Sequence, residues 1–252
     1  MPAVDDEEWI GLFEEVARVA GRSLERHARA GDLTAAGDRE GQYRFDVGVD
    51  EAVLEILAPT GVPTLSEESG VTGDPRSAEI IVVDPIDGST NASRGILHFA
   101  CSICLMDDYG PRVSLVADLA RGEVFTARRG HGASLGDRLI APSGCSDLAE
   151  AVVGIAGHPN HPVGWAQFRA LGSCALDVSW VACGRLDAFV DPISHHGIWD
   201  YAAAHLIAKE AGVASGEMSE LPLIHRDHSA RRGPIYAATP DLLRALRAEV
   251  EG

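Results

Sequence analysis

Four consecutive β-branched residues, Ile80-Ile81-Val82-Val83, run straight into Asp84-Pro85-Ile86-Asp87-Gly88-Ser89-Thr90-Asn91. The apolar run is short and rich in residues that favour pleated backbone, which predicts a buried strand. Pro85 and Gly88 then force a turn, so Asp84 and Asp87 leave the strand end side by side. Two ionised carboxylates that close repel each other, and a cation between them relieves the repulsion. Hard oxygen ligands suit Mg²⁺ or a similar ion. The N–H groups of Gly88, Ser89 and Thr90 are left to open a helix, and a helix start favours phosphate. The expected fold therefore contains a sheet with a strand that ends at a metal- and phosphate-binding turn.

The rest of the composition narrows the class. At 252 residues the chain is one large domain or two packed halves, with material for a sizeable core. Its 38 acidic residues outnumber 21 basic ones, for a net charge of −17, and Lys209 is the sole lysine. That balance argues against general nucleic-acid binding, which needs a basic footprint, and no nucleic-acid partner is expected. No run reaches the roughly 18 apolar residues of a membrane span, and no secretory segment opens the sequence, so a cytoplasmic protein is expected. Five cysteines stand at 101, 104, 145, 174 and 183. The pair Cys101 and Cys104 has redox or zinc spacing, but it lies in a strand-like run where residues three apart face opposite sides. Burial as small hydrophobes is the expectation for it.

Periodicity places a helix over 8–28, a polar loop over 31–45 and a second helix over 50–58, stopped by Pro59-Thr60-Gly61. Strands at 98–106, 112–118 and 123–128 form an antiparallel meander, and Gly130-His131-Gly132 continues it as a hairpin. The small, polar stretch at 141–147 marks a seam, giving an N-terminal half over 1–143 and a C-terminal half over 144–252. The second half alternates: strand 151–155, helices 163–171 and 174–183, strand 188–190, a helix opened by Trp199-Asp200, and strand 235–238. A final helix starts with Thr239 as cap and Pro240 at its first position. Meander then alternation predicts an α+β or layered class.

The octet Asp84–Asn91 resembles the signature of the inositol monophosphatase superfamily of Mg²⁺-dependent, lithium-sensitive phosphatases. Ser66-Glu67-Glu68-Ser69 is similar to its G-E-E-S segment, and Trp199 to Gly212 to its second signature, W-D-x-A-A-G-x-L-I-x-E-A-G-G. All three occur in the family's order. The resemblance implies a layered αβαβα sandwich with the site between the halves, and commonly a homodimer. It assigns Glu67, Asp84 and the Ile86 carbonyl to a first Mg²⁺, and Asp84, Asp87 and Asp200 to a second. Glu67 would also hold a third, weaker ion through water. Mn²⁺ is an alternative ion, and Li⁺ an inhibitor. Asp50 takes the place of the family's water-orienting Asp, although the T-x-x-D lead-in is replaced by Val47-Gly48-Val49. Ser89 stands for its partner Thr with the hydroxyl kept, which makes Asp50, Glu67 and Ser89 the implied catalytic set. Water beside Asp200 would protonate the leaving oxygen.

Substrate contacts implied by the resemblance are Gly88, Ser89 and Thr90 for the phosphate, and Gly172, Ser173 and Asp191 for the ring. Archaeal-type relatives that also cleave fructose 1,6-bisphosphate carry arginines after that strand, where this chain has Ser194-His195-His196. A second phosphate would be held less firmly by histidines. The implied substrate is inositol monophosphate or a related small sugar or cyclitol phosphate. Histidinol phosphate, 3′-phosphoadenosine 5′-phosphate and a pathway-specific nucleoside phosphate are alternatives within the superfamily. An inactive binding protein on the same fold is the alternative outside catalysis.

Overall fold

The computed structural model describes residues 5–252 apart from Glu40 and Pro75. Two long helices come first, α1 (Asp6–Ala30) and α2 (Arg44–Leu57). The strands β1 (Thr64–Ser66), β2 (Gly70–Thr72), β3 (Ile80–Asp87), β4 (Ala100–Asp107), β5 (Gly110–Asp118), β6 (Val124–Arg128), β7 (Ala133–Leu135) and β8 (Arg138–Leu139) follow, with the short helix α3 (Ser89–Arg94) after β3. They make one sheet in the order β2-β1-β3-β4-β5-β6-β7-β8. The second sheet is built from β9 (Val152–Ile155), β10 (Gln167–Arg169), β11 (Ala188–Val190), β12 (Ala214–Glu217) and β13 (Pro234–Ala237), ordered β10-β9-β11-β13-β12. Helices α4 (Cys174–Ala182), α5 (Ile198–Ala211) and α6 (Pro240–Glu251) complete the chain.

The apolar pattern explains the layering. Ile81, Val83, Cys101 and Ile103 bury one face of the first sheet against Phe13, Val16, Phe45 and Val53 of α1 and α2. Ile80, Val82, Cys104 and Met106 bury the other face against α4 and α5. Strands covered on both faces read as continuous apolar runs, which is why Ile80–Val83 shows no alternation. It also separates Cys101 from Cys104, one in each core, as their spacing predicts. Helix α5 is buried along most of its length, with Ala202, Ala203 and Ala204 in mid-helix and Asp200, Lys209 and Glu210 confined to its two ends. Such a helix belongs between two covered layers, and small side chains let it lie close to both. Leu242 and Leu246 of α6 cover the far face of the second sheet. The layers run helix, sheet, helix, sheet, helix: the expected αβαβα sandwich.

Local readings fail in two places. The expected helix at 163–171 does not form: Gln167–Arg169 pair parallel to β9 as an edge strand. Gly164 weakens a helix there, and the open edge of β9 offers backbone partners that local periodicity cannot reveal. The second helix starts at Arg44 instead of residue 50, because the Asp46 side chain reaches back to the Tyr43 N–H at 3.0 Å. Gly48 lies inside that helix where a Cβ would fall 2.6 Å from His27 Nε2, so glycine there permits the close packing of α2 on α1.

Candidate active site

The site forms where β1 and β3 end and α5 begins. Asp84 and Asp87 share no ordinary strand register: between them the pairing of β3 with β4 shifts, Asp84 facing Ser102 and Asp87 facing Ala100. The bulge turns both carboxylates toward the same side. Gly88 follows with φ 95°, and a Cβ there would meet the carbonyl oxygens of Gly172 and His98 at 3.0 Å. Glu67 is delivered by β1, which pairs parallel with β3, and its N–H continues the ladder to the Val83 carbonyl at 3.3 Å. Asp200 comes from the first turn of α5 and accepts from the Gly197 N–H at 2.7 Å. Ser102 Oγ donates to the Trp199 carbonyl at 3.1 Å, pinning that helix start to the sheet.

Carboxylate oxygens of Asp84, Asp87 and Asp200 lie within 4.8 Å of one another, and Glu67 adjoins them. Asp87 Oδ2 accepts from Ser173 Oγ at 2.6 Å and from the Ala175 N–H at 2.7 Å, which ties it to the start of α4. Asp84 Oδ1 accepts from the Ile86 N–H at 3.0 Å. Burial, reinforced by the charges of neighbouring acids, drives Asp84 and Asp200 well above the usual carboxylate range. Burial first, then the charges of Glu68, Asp46 and Asp87, pushes Glu67 up to about 8. Among the described residues no arginine or lysine forms an ion pair with Glu67, Asp84, Asp87 or Asp200. Four converging acids without an ion-paired cation form the donor set that a hard divalent ion fits. The Ile86 carbonyl lies in the same turn, 2.9 Å from Ser89 Oγ, and with the Ser89 proton directed to Asp46 its lone pairs are free for an ion.

The structure reassigns the partner of Ser89. Its hydroxyl lies 2.7 Å from Asp46 Oδ1, whereas both oxygens of Asp50 are taken by the hydroxyls of Ser66 and Ser69. Asp50 is one helical turn beyond Asp46, buried against the end of β1, and it does not reach Ser89. The cause is the earlier start of α2, which turns Asp46 toward the strand end. Burial raises Asp46 to about 6 even though Ser89 and Tyr43 donate to it. Tyr43 stands three residues before Asp46, at the position of the lead-in Thr missing ahead of Asp50; that spacing was the available sequence signal. Asp46→Asn is expected to lower turnover by about 10²–10³-fold, in the range for removing a general base. Asp50→Asn is expected to cost about 1–3 kcal/mol of stability with turnover changed less than about tenfold. Steady-state kinetics and urea unfolding of the two variants separate the roles.

Asp191 is also redirected. It is fully buried, and accepts from the N–H groups of Ile193, Ser194 and His195 at 2.9–3.0 Å and from His196 Nδ1 at 2.8 Å. Burial alone would raise its pKa, but hydrogen bonds from His195 and His196 outweigh that and hold it far below the usual range. A carboxylate so occupied organises the turn at 192–196 and has no oxygen left for a ring hydroxyl. Asp191→Ala is expected to cost about 3–5 kcal/mol, as removal of one partner from a buried charged network does, readable as a lower urea midpoint.

Gly172, Ser173, His195 and His196 instead line a cleft of about 510 Å³ that opens from the acidic cluster. Ser173 keeps its place in the cleft, but its hydroxyl is committed to Asp87. Thr90 is exposed, its hydroxyl 3.4 Å from the Tyr43 phenol. Sequence reading passed over Asp177, which also lines the cleft, buried and 2.9 Å from His98 Nε2. No local pattern marks that pair; residues 79 apart meet only in the fold. A second hollow on the other side of Glu67 is lined by Arg39, Asp46, Glu68 and Ser89, with Glu68 bonded to Arg39 and Gln42 of the preceding loop.

An αβαβα sandwich that gathers acidic residues from two strand ends and a helix start defines a known class, and the chain belongs to it: residues 5–251 match the inositol monophosphatase family. Relatives under two different names illustrate this. A protein of Escherichia coli K12 called Nus factor SuhB is 31% identical, covering 96% of this chain and 95% of that one. An inositol-1-monophosphatase of Mesorhizobium japonicum is 32% identical, covering 81% of this chain and 83% of that one. Among solved structures, the extragenic suppressor protein suhB of Bartonella henselae superposes with a TM-score of 0.81 at 27% identity, over 97% of this chain and all of that one. An archaeal protein of Pyrococcus horikoshii shares the fold at a TM-score of 0.87 with 22% identity, over 98% of this chain and all of that one. Among the described residues no helix is long and apolar enough to cross a membrane.

Proposed function

We propose that the protein is a Mg²⁺-dependent phosphatase acting on the monoester of inositol monophosphate or a related small sugar or cyclitol phosphate. The observation that carries this is the meeting of the acidic cluster with a Ser89–Asp46 pair at one strand end. Glu67, Asp84, Asp87, Asp200 and the Ile86 carbonyl would hold Mg²⁺, which when bound neutralises the phosphoryl oxygens and acidifies water. The chain's own residues supply the proton path. Ser89 Oγ can accept a hydrogen bond from the attacking water while donating its proton to Asp46. With its pKa near 6, Asp46 is ionised at neutral pH and still basic enough to take that proton. Ser173 and the Ala175 N–H hold Asp87 in place, and the cleft walls formed by Gly172, His195 and His196 receive the alcohol portion.

The test is phosphate release with Mg²⁺ over a panel of inositol 1-phosphate, fructose 1,6-bisphosphate, histidinol phosphate, 3′-phosphoadenosine 5′-phosphate and nucleoside monophosphates, with Asp87→Asn as blank. A preferred ester whose turnover is lost in the variant supports the reading. Absence of Mg²⁺-dependent turnover on every ester sinks it, and favours a second reading. Several relatives are called Nus factor SuhB, so this chain would then act as a binding protein of that kind. With a net charge of −17, such a partner would be met through protein surface more readily than through nucleic acid.

A further inference from the structure

An arginine without an acidic partner in a cleft full of acids calls for an explanation. Arg231 lies on the segment between β12 and β13, and with Glu67 and Trp199 it borders both hollows of the site. The other arginine there, Arg39, is paired with Glu68. Among the described residues Arg231 forms no ion pair, while thirteen other arginines, such as Arg129 with Asp107, do. Its Nη1 donates to the carbonyls of His228 and Ala230 at 3.0 and 3.1 Å. Its guanidinium carbon sits 5.0 Å from the centroid of the Trp199 ring, the residue before Asp200. His228 packs against the same indole, ring centroids 4.6 Å apart and tilted by 33°, and places its Nε2 3.2 Å from the Glu67 carbonyl. Backbone carbonyls and an aromatic face thus hold the guanidinium at the mouth of the acidic cluster, with Nε and Nη2 making no hydrogen bond among the described residues.

We infer that Arg231 binds the phosphoryl group of the substrate, and the phosphate product, from the open side of the site. The inference rests on the phosphatase reading above. A guanidinium presents two parallel N–H donors that match two oxygens of a phosphate, and stacking on Trp199 sets its plane in advance. It would add positive charge on the face of the phosphoryl group that Glu67, Asp84, Asp87 and Asp200 do not cover.

The experiment compares wild type, R231Q and R231K by calorimetric titration with inorganic phosphate in saturating Mg²⁺, alongside kcat and KM on the preferred ester. A thermal shift with Mg²⁺ alone checks that the metal centre is intact. R231Q is expected to weaken phosphate binding about 10–100-fold, the worth of a charge-assisted pair, with the Mg²⁺ midpoint unchanged. R231K should recover part of the loss, since the charge remains and the fork does not. If R231Q folds poorly, R231M, which keeps the stem over Trp199, gives the same comparison. Phosphate affinity and kcat within threefold of wild type in R231Q, while Asp87→Asn is inactive, would overturn the role of Arg231 and leave the phosphatase reading standing. Equal losses in R231K and R231Q, with the Mg²⁺ midpoint unchanged, would uphold the contact and assign it to the guanidinium fork instead of the charge. Arginine-dependent phosphate binding without turnover of any ester would uphold Arg231 as an anion contact and remove the phosphatase reading.

Discussion

Asp84→Asn is expected to lose Mg²⁺-dependent turnover by at least about 10³-fold, equivalent to about 4 kcal/mol of barrier, while melting in chelator at or above the wild-type temperature. The two halves of this expectation come from one arrangement. Asp84 is fully buried and faces Glu67, Asp87 and Asp200, so its ionised form is opposed by desolvation and by three neighbouring acids. Asparagine keeps the shape and the acceptor for the Ile86 N–H, and removes the charge. The fold therefore loses nothing it needs, whereas a site that needs the charge to hold a cation fails. Trading stability for a strained, charged site is the usual cost of function. Kinetics and thermal unfolding in chelator, run on the same preparation, check both halves. A melting temperature well below wild type would mean that Asp84 is a turn-former, and the metal-centre interpretation of the cluster would be lost.

How much of this was legible depends on how local the determinants are. The octet at Asp84–Asn91 carries its own geometry: a strand, a proline, a glycine and two acids are enough to expect paired carboxylates, and the bulge and positive φ of Gly88 realise it. Layering was readable from the order of meander and alternation only as an α+β or layered class, and the resemblance supplied the sandwich; the unbroken apolar run Ile80–Val83 and the largely buried α5 agree with it. The second acid of the Ser89 pair was not readable from Asp46 and Asp50 alone. Both lie on one helix, four residues apart, and the choice is made by Ser89, Ser66 and Ser69 far along the chain. Asp191 misled for a related reason. A strand-end aspartate beside a cleft reads as a ligand, but three following N–H groups and a histidine consume it. The edge strand at Gln167–Arg169 was invisible because three exposed residues hold it only through pairing to β9.

The second large effect concerns pH and metal together. Glu67 is raised from 4.5 to about 8 by burial and by the charges of Glu68, Asp46 and Asp87. A carboxyl whose folded pKa exceeds its unfolded value binds its proton more tightly when folded. Its contribution to stability is complete below about pH 4.5 and is lost as pH rises toward 8. Metal-free protein should therefore lose stability across pH 5 to 8, by up to about 1.4 kcal/mol per pH unit from this group alone. Asp84 and Asp200 are raised in the same direction and deepen the slope. A bound divalent cation replaces those protons, so Mg²⁺ binding should release protons and tighten as pH rises over the same window. At saturating Mg²⁺ the decline should flatten or reverse. Two measurements check this: thermal unfolding at pH 5, 6, 7 and 8 with Mg²⁺ or chelator, and calorimetry in buffers of different ionisation enthalpy. Metal-free stability that rises with pH over this range, or Mg²⁺ binding that moves no protons, would contradict the picture of four acids held together under mutual repulsion.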